Sequence, residues 1–228
     1  MDSEWKGRES CCRRRFALSA PGESEPQVSF LGIANRSITV VSPPPLPPLI
    51  TATFISVILY LAACGVGKLT VVDFDGVEIS NLHRQVIHKT RDVGMNKAQS
   101  AAKAVYDLNP TIRCETVECP LTSSNALEII SNHDCVVDAS DNPQTRYLIN
   151  DACVLAGVPL VSGSAIGVEG QLTVYNYNDG PCYRCLYPNS DSKEGSKSCS
   201  DNGVLGPVPG LIGILQAVET IKVLTGVG

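Results

Sequence analysis

Four charged side chains carry the chemistry that this chain could perform: Asp73, Arg84, Lys97 and Asp141. Asp73 and Asp75 end the β-branched run of "KLTVVDFD". An acid at the end of a second strand accepts hydrogen bonds from ribose hydroxyls in dinucleotide folds. Arg84, in "SNLHRQ", offers a planar fork suited to phosphate oxygens. Lys97 falls in the first turn of "GMNKAQSAAKAV", where the ammonium and the positive helix end both favour an anion. Asp141 and Asn142 stand at another helix start. One reading makes Asn142 an N-cap and Asp141 a complement to the helix dipole. The other gives Asp141 a hard cation that bridges phosphates. Arg84 also reads as a surface residue and Asp75 as a turn former; no one of these residues decides the matter alone.

Cysteine supplies the second set of candidates. The chain has 10 of them, mostly single and in apolar segments, which reads as inert core thiols in a reducing compartment. "CYRC" places Cys182 and Cys185 at the spacing of half a zinc site. A redox role fits that pair less well, because it follows an alternating segment and not a helix start. Cys199 lies in the polar stretch "KSCSDNGVLG", where Lys193 and Lys197 favour its thiolate.

Alternating strands and helices must position these groups. "KLTVVDF" reads as a strand covered on both faces. "GMNKAQSAAKAVYDLNP" puts Ala98, Ala101, Ala102, Val105 and Leu108 on one helical face, and Pro110 stops it. "IRCETVE", "DCVVDAS" and "VPLVSG" read as further strands. "SSNALEIISN" is a helix with Asn125 and Glu128 at capping spacing. "DNPQTRYLINDACVLAG" is a helix with Pro143 at its first turn and Gly157 at its end. "GQLTVYNYNDGPCYRC" alternates and carries a turn signal at Asn178-Asp179-Gly180, which predicts an antiparallel strand. "PGLIGILQAVETIKVLTG" is a last amphipathic helix. The pattern predicts an α/β fold: a Rossmann-like, doubly wound, mostly parallel sheet with an antiparallel extension.

The 228 residues are 43% hydrophobic and 18% charged, as expected of a globular α/β chain. The net charge of −5 argues against direct nucleic-acid binding. Residues 1–48, with "CCRRR", "PGESEP" and "SPPPLPPL", read as an atypical leader. Its arginines hint at a transit peptide, and Asp2, Glu4 and Glu9 count against one. Residues 49–67 carry no charge and approach the length of a membrane span; the favoured reading is a buried helix. With no cleavable signal evident, the expected location is the cytoplasm.

The segments "VVDFDGVEISNLHRQ", "GMNKAQSA", "DASDNPQTRYLIND", "GQLTVYNYNDGPCYRCLYP" and "CSDNGVLGPVPGLIGILQAVETIKVLTG" resemble, in order and spacing, the ThiF-type adenylyltransferases. That family includes the activating enzymes of ubiquitin-like proteins. Within it the chain looks most like the eukaryotic molybdopterin-synthase adenylyltransferases that carry a fused sulfurtransferase. The resemblance implies attack by the C-terminal Gly-Gly carboxylate of a sulfur-carrier or ubiquitin-like partner on the α-phosphate of ATP. An acyl-adenylate and pyrophosphate would result, in the service of molybdopterin synthesis and tRNA thiolation. It implies that Asp73 holds the ribose and that Ser80, Asn81, Leu82, His83 and Arg84 line the nucleotide. Lys97 would meet phosphate, and Asp141 would hold Mg²⁺ with Asn142 beside it. Cys199 would match a reactive cysteine capable of thioester, persulfide or disulfide chemistry. Cys182 and Cys185 would supply half of a Zn²⁺ site whose second pair lies beyond Gly228 in the family. The expected assembly is a homodimer.

One departure from the family pattern is plain. A glycine-rich loop should precede the first helix, yet "PPPLPPLITATFIS" stands there, and proline has no N–H to offer a phosphate. Gly65 and Gly67 follow the helix and read as a turn. "SITVV" is then expected to be lost as the first strand, and 49–228 to be a nucleotide domain altered at both ends. Two other classes compete: a catalytically impaired chain acting as a binding or dimerisation module, and an NAD-dependent oxidoreductase. The absent GxGxxG and the SNLHRQ stretch weigh against the latter.

Overall fold

The computed structural model describes residues 36–41, 52–188 and 203–227. Six strands form one sheet in the order β3-β2-β1-β4-β5-β6. They are β1 (Ser37–Val41), β2 (Lys68–Val72), β3 (Arg113–Val117), β4 (Cys135–Asp138), β5 (Leu160–Ile166) and β6 (Glu169–Tyr175). The first five run parallel; β6 returns antiparallel to β5, with Leu160 opposite Tyr175. The helices are α1 (Ala52–Ala63), α2 (Lys97–Leu108), α3 (Ala126–Ser131), α4 (Pro143–Ala156), α5 (Tyr183–Leu186) and α6 (Pro207–Thr225).

Alternation along each strand feeds two cores, as a doubly wound sheet requires. Ile38, Val40, Leu69, Val71 and Val137 pack with α1, α2 and α6. Val41, Val72, Val136 and Leu160 pack with α3 and α4. The sequence expectations for α4 hold in detail: Asn142 caps it through its side chain, Pro143 opens it, and Gly157 closes it at φ 70. Pro143 forfeits no intrahelical bond there, and Gly157 takes the left-handed conformation without a Cβ penalty.

Three expectations need correction. "SITVV" is not lost: it is β1, the innermost parallel strand, with Ile38, Val40 and Val41 fully buried. Its β-branched composition suits that position. The sheet therefore begins ahead of the expected boundary at residue 48. Next, Asn125 makes no side-chain cap for α3; its Oδ1 accepts from the Thr122 N–H at 2.7 Å and so serves the preceding turn. Finally, β6 is antiparallel as expected, but its hairpin with β5 turns at Gly167 (φ 59), one strand earlier than the Asn178-Asp179-Gly180 signal. That signal is a real turn, with Asn178 and Asp179 at positive φ, but it delivers the chain to Cys182.

Residues 52–63 form a core helix of only 12 residues, its Phe54, Ile55, Val57, Ile58 and Leu61 buried. That is too short to cross a bilayer. Among the described residues α6 alone is long and apolar enough to do so. It packs on α1 and on the sheet, with Gln216 and Thr220 fully buried inside the fold.

Candidate functional site

The carboxyl ends of β1, β2 and β4 lie level, with Val41 paired to Val72 on one side and to Asp138 on the other. Strand order reverses direction at this point, and such a switch point opens a crevice for ligands. Asp73 follows β2 and Asp141 follows β4, so both expected acids reach this edge.

Asp73 is 1% exposed. Its Oδ1 accepts from the Asp75 N–H at 2.9 Å, and its carbonyl accepts from Asn96 Nδ2 at 3.1 Å. Asn96 Oδ1 also caps α2, accepting from the N–H groups of Ala98 and Gln99. One asparagine thus ties the β2 carboxyl end to the helix that presents Lys97. The Lys97 side chain, 6% exposed, donates to Asp75 Oδ2 at 3.0 Å. The charges of both groups reach Asp141. Burial pushes its carboxyl above the usual range, the Asp75 charge adds to this, and the Asn142 side chain and the Lys97 charge oppose it. Lys97 and Asp75 therefore form an ion pair whose charges reach Asp141, and Asp73 is tied to Asp75 through the backbone.

Arg84 belongs to an adjoining turn. Its Nη1 donates to the Ser80 carbonyl at 3.1 Å, and its Nη2 donates to Asn81 Oδ1 at 2.7 Å. Asn81 is buried, while Ser80 and His83 are exposed and Leu82 closes the short 3-10 turn Ile79–Asn81. Burial draws the Arg84 guanidinium below its ordinary value, against the opposing charge of Glu78. A partly desolvated guanidinium suits an incoming anion. The turn rests on the head of α6: a Cβ on Gly206 would stand 3.4 Å from the His83 carbonyl oxygen and 3.7 Å from Arg84 Cβ.

Asn142 Oδ1 is committed to the Thr145 N–H at 2.7 Å, so its capping role is real. The turn before it is anchored by residues that the sequence reading missed. Asp138, fully buried, accepts from the Ser140 N–H at 2.8 Å on Oδ1 and from Ser162 Oγ at 2.8 Å and Arg146 Nε at 3.1 Å on Oδ2. Gln216 Nε2 donates to the Asp138 carbonyl at 2.8 Å. Burial opposes the Arg146 charge, but Asp138 and Tyr183 outweigh it and hold the guanidinium above its ordinary value.

The CxxC pair is held differently. Cys182 is 2% exposed and Cys185 exposed, with their Sγ atoms 3.6 Å apart. Cys182 precedes the four-residue helix α5, so the expectation that the pair avoids a helix start is corrected. Tyr183 between them packs edge-on to Tyr147 and Tyr175, and its N–H donates to Asn150 Oδ1 at 2.7 Å. Among the described residues no three His, Cys, Asp or Glu side chains gather as a metal site, and Cys199 lies outside those residues. The expectation of inert thiols holds for Cys135, pushed up to about 12 by burial, and for Cys114, pushed up to about 11. Cys119 is exposed and is not a core residue.

A doubly wound sheet with acids and a lysine at its switch point defines an α/β domain of nucleotide-binding type. Residues 55–228 match the ThiF family, and the chain belongs to it. It is 57% identical over 171 residues to "Adenylyltransferase and sulfurtransferase MOCS3" of Arabidopsis thaliana, covering 75% of this chain and 37% of that protein. It is 58% identical over 169 residues to the protein of the same name from Dictyostelium discoideum, covering 74% of this chain and 40% of that one. The chain thus spans about two fifths of the length of these relatives. Among solved structures, E. coli MccB with ATP superposes with a TM-score of 0.69 at 20% identity, over 86% of this chain and 58% of that one. PaaA superposes with a TM-score of 0.69 at 18% identity, over 86% and 58%. These two likenesses concern the fold alone.

Proposed function

We propose that this chain is an ATP-dependent adenylyltransferase acting on the C-terminal Gly-Gly carboxylate of a sulfur-carrier or ubiquitin-like protein. The observation that carries the reading is the Lys97–Asp75 ion pair at the carboxyl end of β2, with Asp141 following β4 at the same edge of the sheet and Arg84 on the turn after β2. The 57% identity to a protein named for this activity supports it.

In this reading Asp73 accepts from the ribose hydroxyls, and Ser80, Asn81, Leu82 and His83 line the nucleoside. Arg84 and Lys97 neutralise phosphate charge, which stabilises the transition state of attack at the α-phosphate. Lys97 would have to exchange part of its bond with Asp75 for phosphate oxygen. Two carboxylates near one ammonium, one of them with a raised pKa, fit a hard cation such as Mg²⁺, with ATP phosphates completing its shell. Asp141 and Asp75 would hold that ion, and its charge would offset that of the phosphates. Zn²⁺ at Cys182 and Cys185 would need two further ligands. Cys199 would act downstream, in sulfur transfer for molybdopterin synthesis and tRNA thiolation. A homodimer in the cytoplasm completes the proposal, and the unbridged thiols of Cys64, Cys114, Cys119, Cys135 and Cys153 suit a reducing compartment.

A second reading rests on residues 42–51, which contain five prolines and no glycine between β1 and α1. Without those N–H donors the chain would bind ATP weakly and serve as a binding or dimerisation module. Pyrophosphate exchange with a Gly-Gly-tailed partner separates the two. Exchange dependent on that partner supports the enzyme; partner binding without exchange leaves the module.

A further inference from the structure

We infer that Arg146 is a positioning residue that fixes the Asp141 turn; its role in the reaction rests on the adenylyltransferase reading above. The turn of residues 139–142 leaves β4 at Asp138 and enters α4 at Pro143. Asp141 is the titratable group in it, and the charges of Asp75 and Lys97 reach it. Arg146 grips both ends of the approach to that aspartate: Nε donates to Asp138 Oδ2 at 3.1 Å, and Nη2 donates to the Ser140 carbonyl at 2.9 Å. Ser140 immediately precedes Asp141, so the second bond sets the peptide plane from which Asp141 departs.

The geometry is that of a clamp. A planar guanidinium makes two bonds in fixed relative directions, which a lysine ammonium on a flexible stem cannot reproduce. The Arg146 side chain is 14% exposed and Asp138 fully buried, so the pair lies in a medium that strengthens it. Behind it, the Arg146 guanidinium carbon lies 5.8 Å from the centre of the Tyr183 ring. On the far side, Ser162 and Gln216 hold Asp138 from β5 and α6. Ala139 and Ser140 are buried against this scaffold, and the turn becomes half-buried only at Asp141 and Asn142. Arg146 does not need to touch a ligand to matter; displacing a charged group by about 1 Å can cost about a hundredfold in rate.

The test compares the full chain with Arg146→Met and Arg146→Lys. Hydrogen exchange followed by mass spectrometry reads the turn without reference to any activity. In Arg146→Met the peptide spanning 139–142 should exchange about tenfold faster, while peptides from β2 and α2 stay unchanged. In pyrophosphate exchange with a Gly-Gly-tailed partner, kcat should fall about 10- to 100-fold with the partner's KM nearly constant, and the Mg²⁺ requirement should rise. Arg146→Lys, keeping the charge but one bond, should recover part of both effects. An unchanged turn in Arg146→Met, or global unfolding of both variants, would overturn the inference. So would a loosened turn with kcat and Mg²⁺ dependence intact. If the unmodified chain shows no exchange activity at all, the adenylyltransferase reading falls, and hydrogen exchange alone decides whether Arg146 holds the turn.

Discussion

Lys97 grips Asp75 twice: its ammonium donates to Oδ2 at 3.0 Å, and its backbone N–H donates to the Asp75 carbonyl at 2.8 Å. The first residue of α2 is thereby fastened to the chain leaving β2, and the ammonium is held toward Asp141. Removing the cation leaves two carboxylates facing each other. Lys97→Met should therefore push the Asp141 pKa further up, because the opposing charge is gone while burial and Asp75 remain. Pyrophosphate exchange should drop about 100- to 1,000-fold in this variant, a loss typical of removing one charge-stabilising donor. Retention of exchange would show that Lys97 only ties β2 to α2.

Asp75→Asn tests the structural half of the same pair. The lysine side chain is 6% exposed and the aspartate 27%, so the variant strands a mostly buried cation. A fully buried partner loss would cost more, but solvent at Asp75 screens the pair, and a loss of about 1–3 kcal/mol is expected. Urea denaturation monitored by circular dichroism reads it directly.

Gly163 in β5 has no room for a side chain. A Cβ there would stand 2.4 Å from Gln216 Cδ, and that glutamine is locked by donating to the Asp138 and Val161 carbonyls. Gly163→Ala should destabilise the fold by about 1–3 kcal/mol through overpacking. Combining it with Gln216→Ala should recover part of the loss, giving a coupling energy of about 0.5–3 kcal/mol in a double-mutant cycle. Strict additivity would mean that the two sites do not meet.

The elements carrying Lys97 and Asp141 were readable because their signals are local. Pro143 and Gly157 bracket α4, and Asn96 sits one residue before an alanine-rich helix. Continuous apolar runs alternating with helices likewise announce the parallel sheet. What escaped was non-local. β1 is joined to β2 and β4 by backbone bonds that no neighbouring residue advertises, and the proline run after it argued for irregular chain. The Asp138, Arg146, Ser162 and Gln216 cluster draws on β4, α4, β5 and α6. An arginine at the fourth position of a helix gives no hint that its partner lies at the preceding strand's end. Asp75 reads in the sequence as a turn former, and the structure shows it pairing with Lys97 as well.

Arg184 and Asp151 predict how the CxxC segment is held. Nε and Nη2 donate to the two carboxylate oxygens at 2.5 and 2.6 Å, and the guanidinium lies 4.5 Å above the Tyr147 ring. Arg184→Lys keeps the charge but loses both the fork and the stack. Cys182, 2% exposed, should then be alkylated faster by iodoacetamide, while Cys185 is already exposed and should change little. Equal acceleration at both thiols would point to general loosening of the fold.

His88 predicts the acid behaviour of the region. It is 5% exposed, and its Nδ1 lies 2.8 Å from Ser100 Oγ. Burial, helped by the Lys97 charge and opposed by Asp92, lowers its pKa to about 4. In the unfolded chain the imidazole returns to about 6.5. Above that value it is neutral in both states and contributes no pH dependence. Between 6.5 and about 4 the unfolded chain takes up a proton that the folded chain refuses, so stability must fall as the pH falls through this window. The whole effect amounts to at most about 3 kcal/mol and levels off below the folded value. Carboxylates titrate nearby, so the informative quantity is the difference between the chain and His88→Gln, whose amide can still bond Ser100 but takes up no proton. In urea midpoints measured at steps from pH 7 to pH 4.5, the histidine protein should lose stability relative to the variant as the pH drops, because only the histidine form loses this contribution. Parallel curves across the window would show that His88 accepts its proton in the folded state, and that Lys97 has a charged neighbour in acid after all.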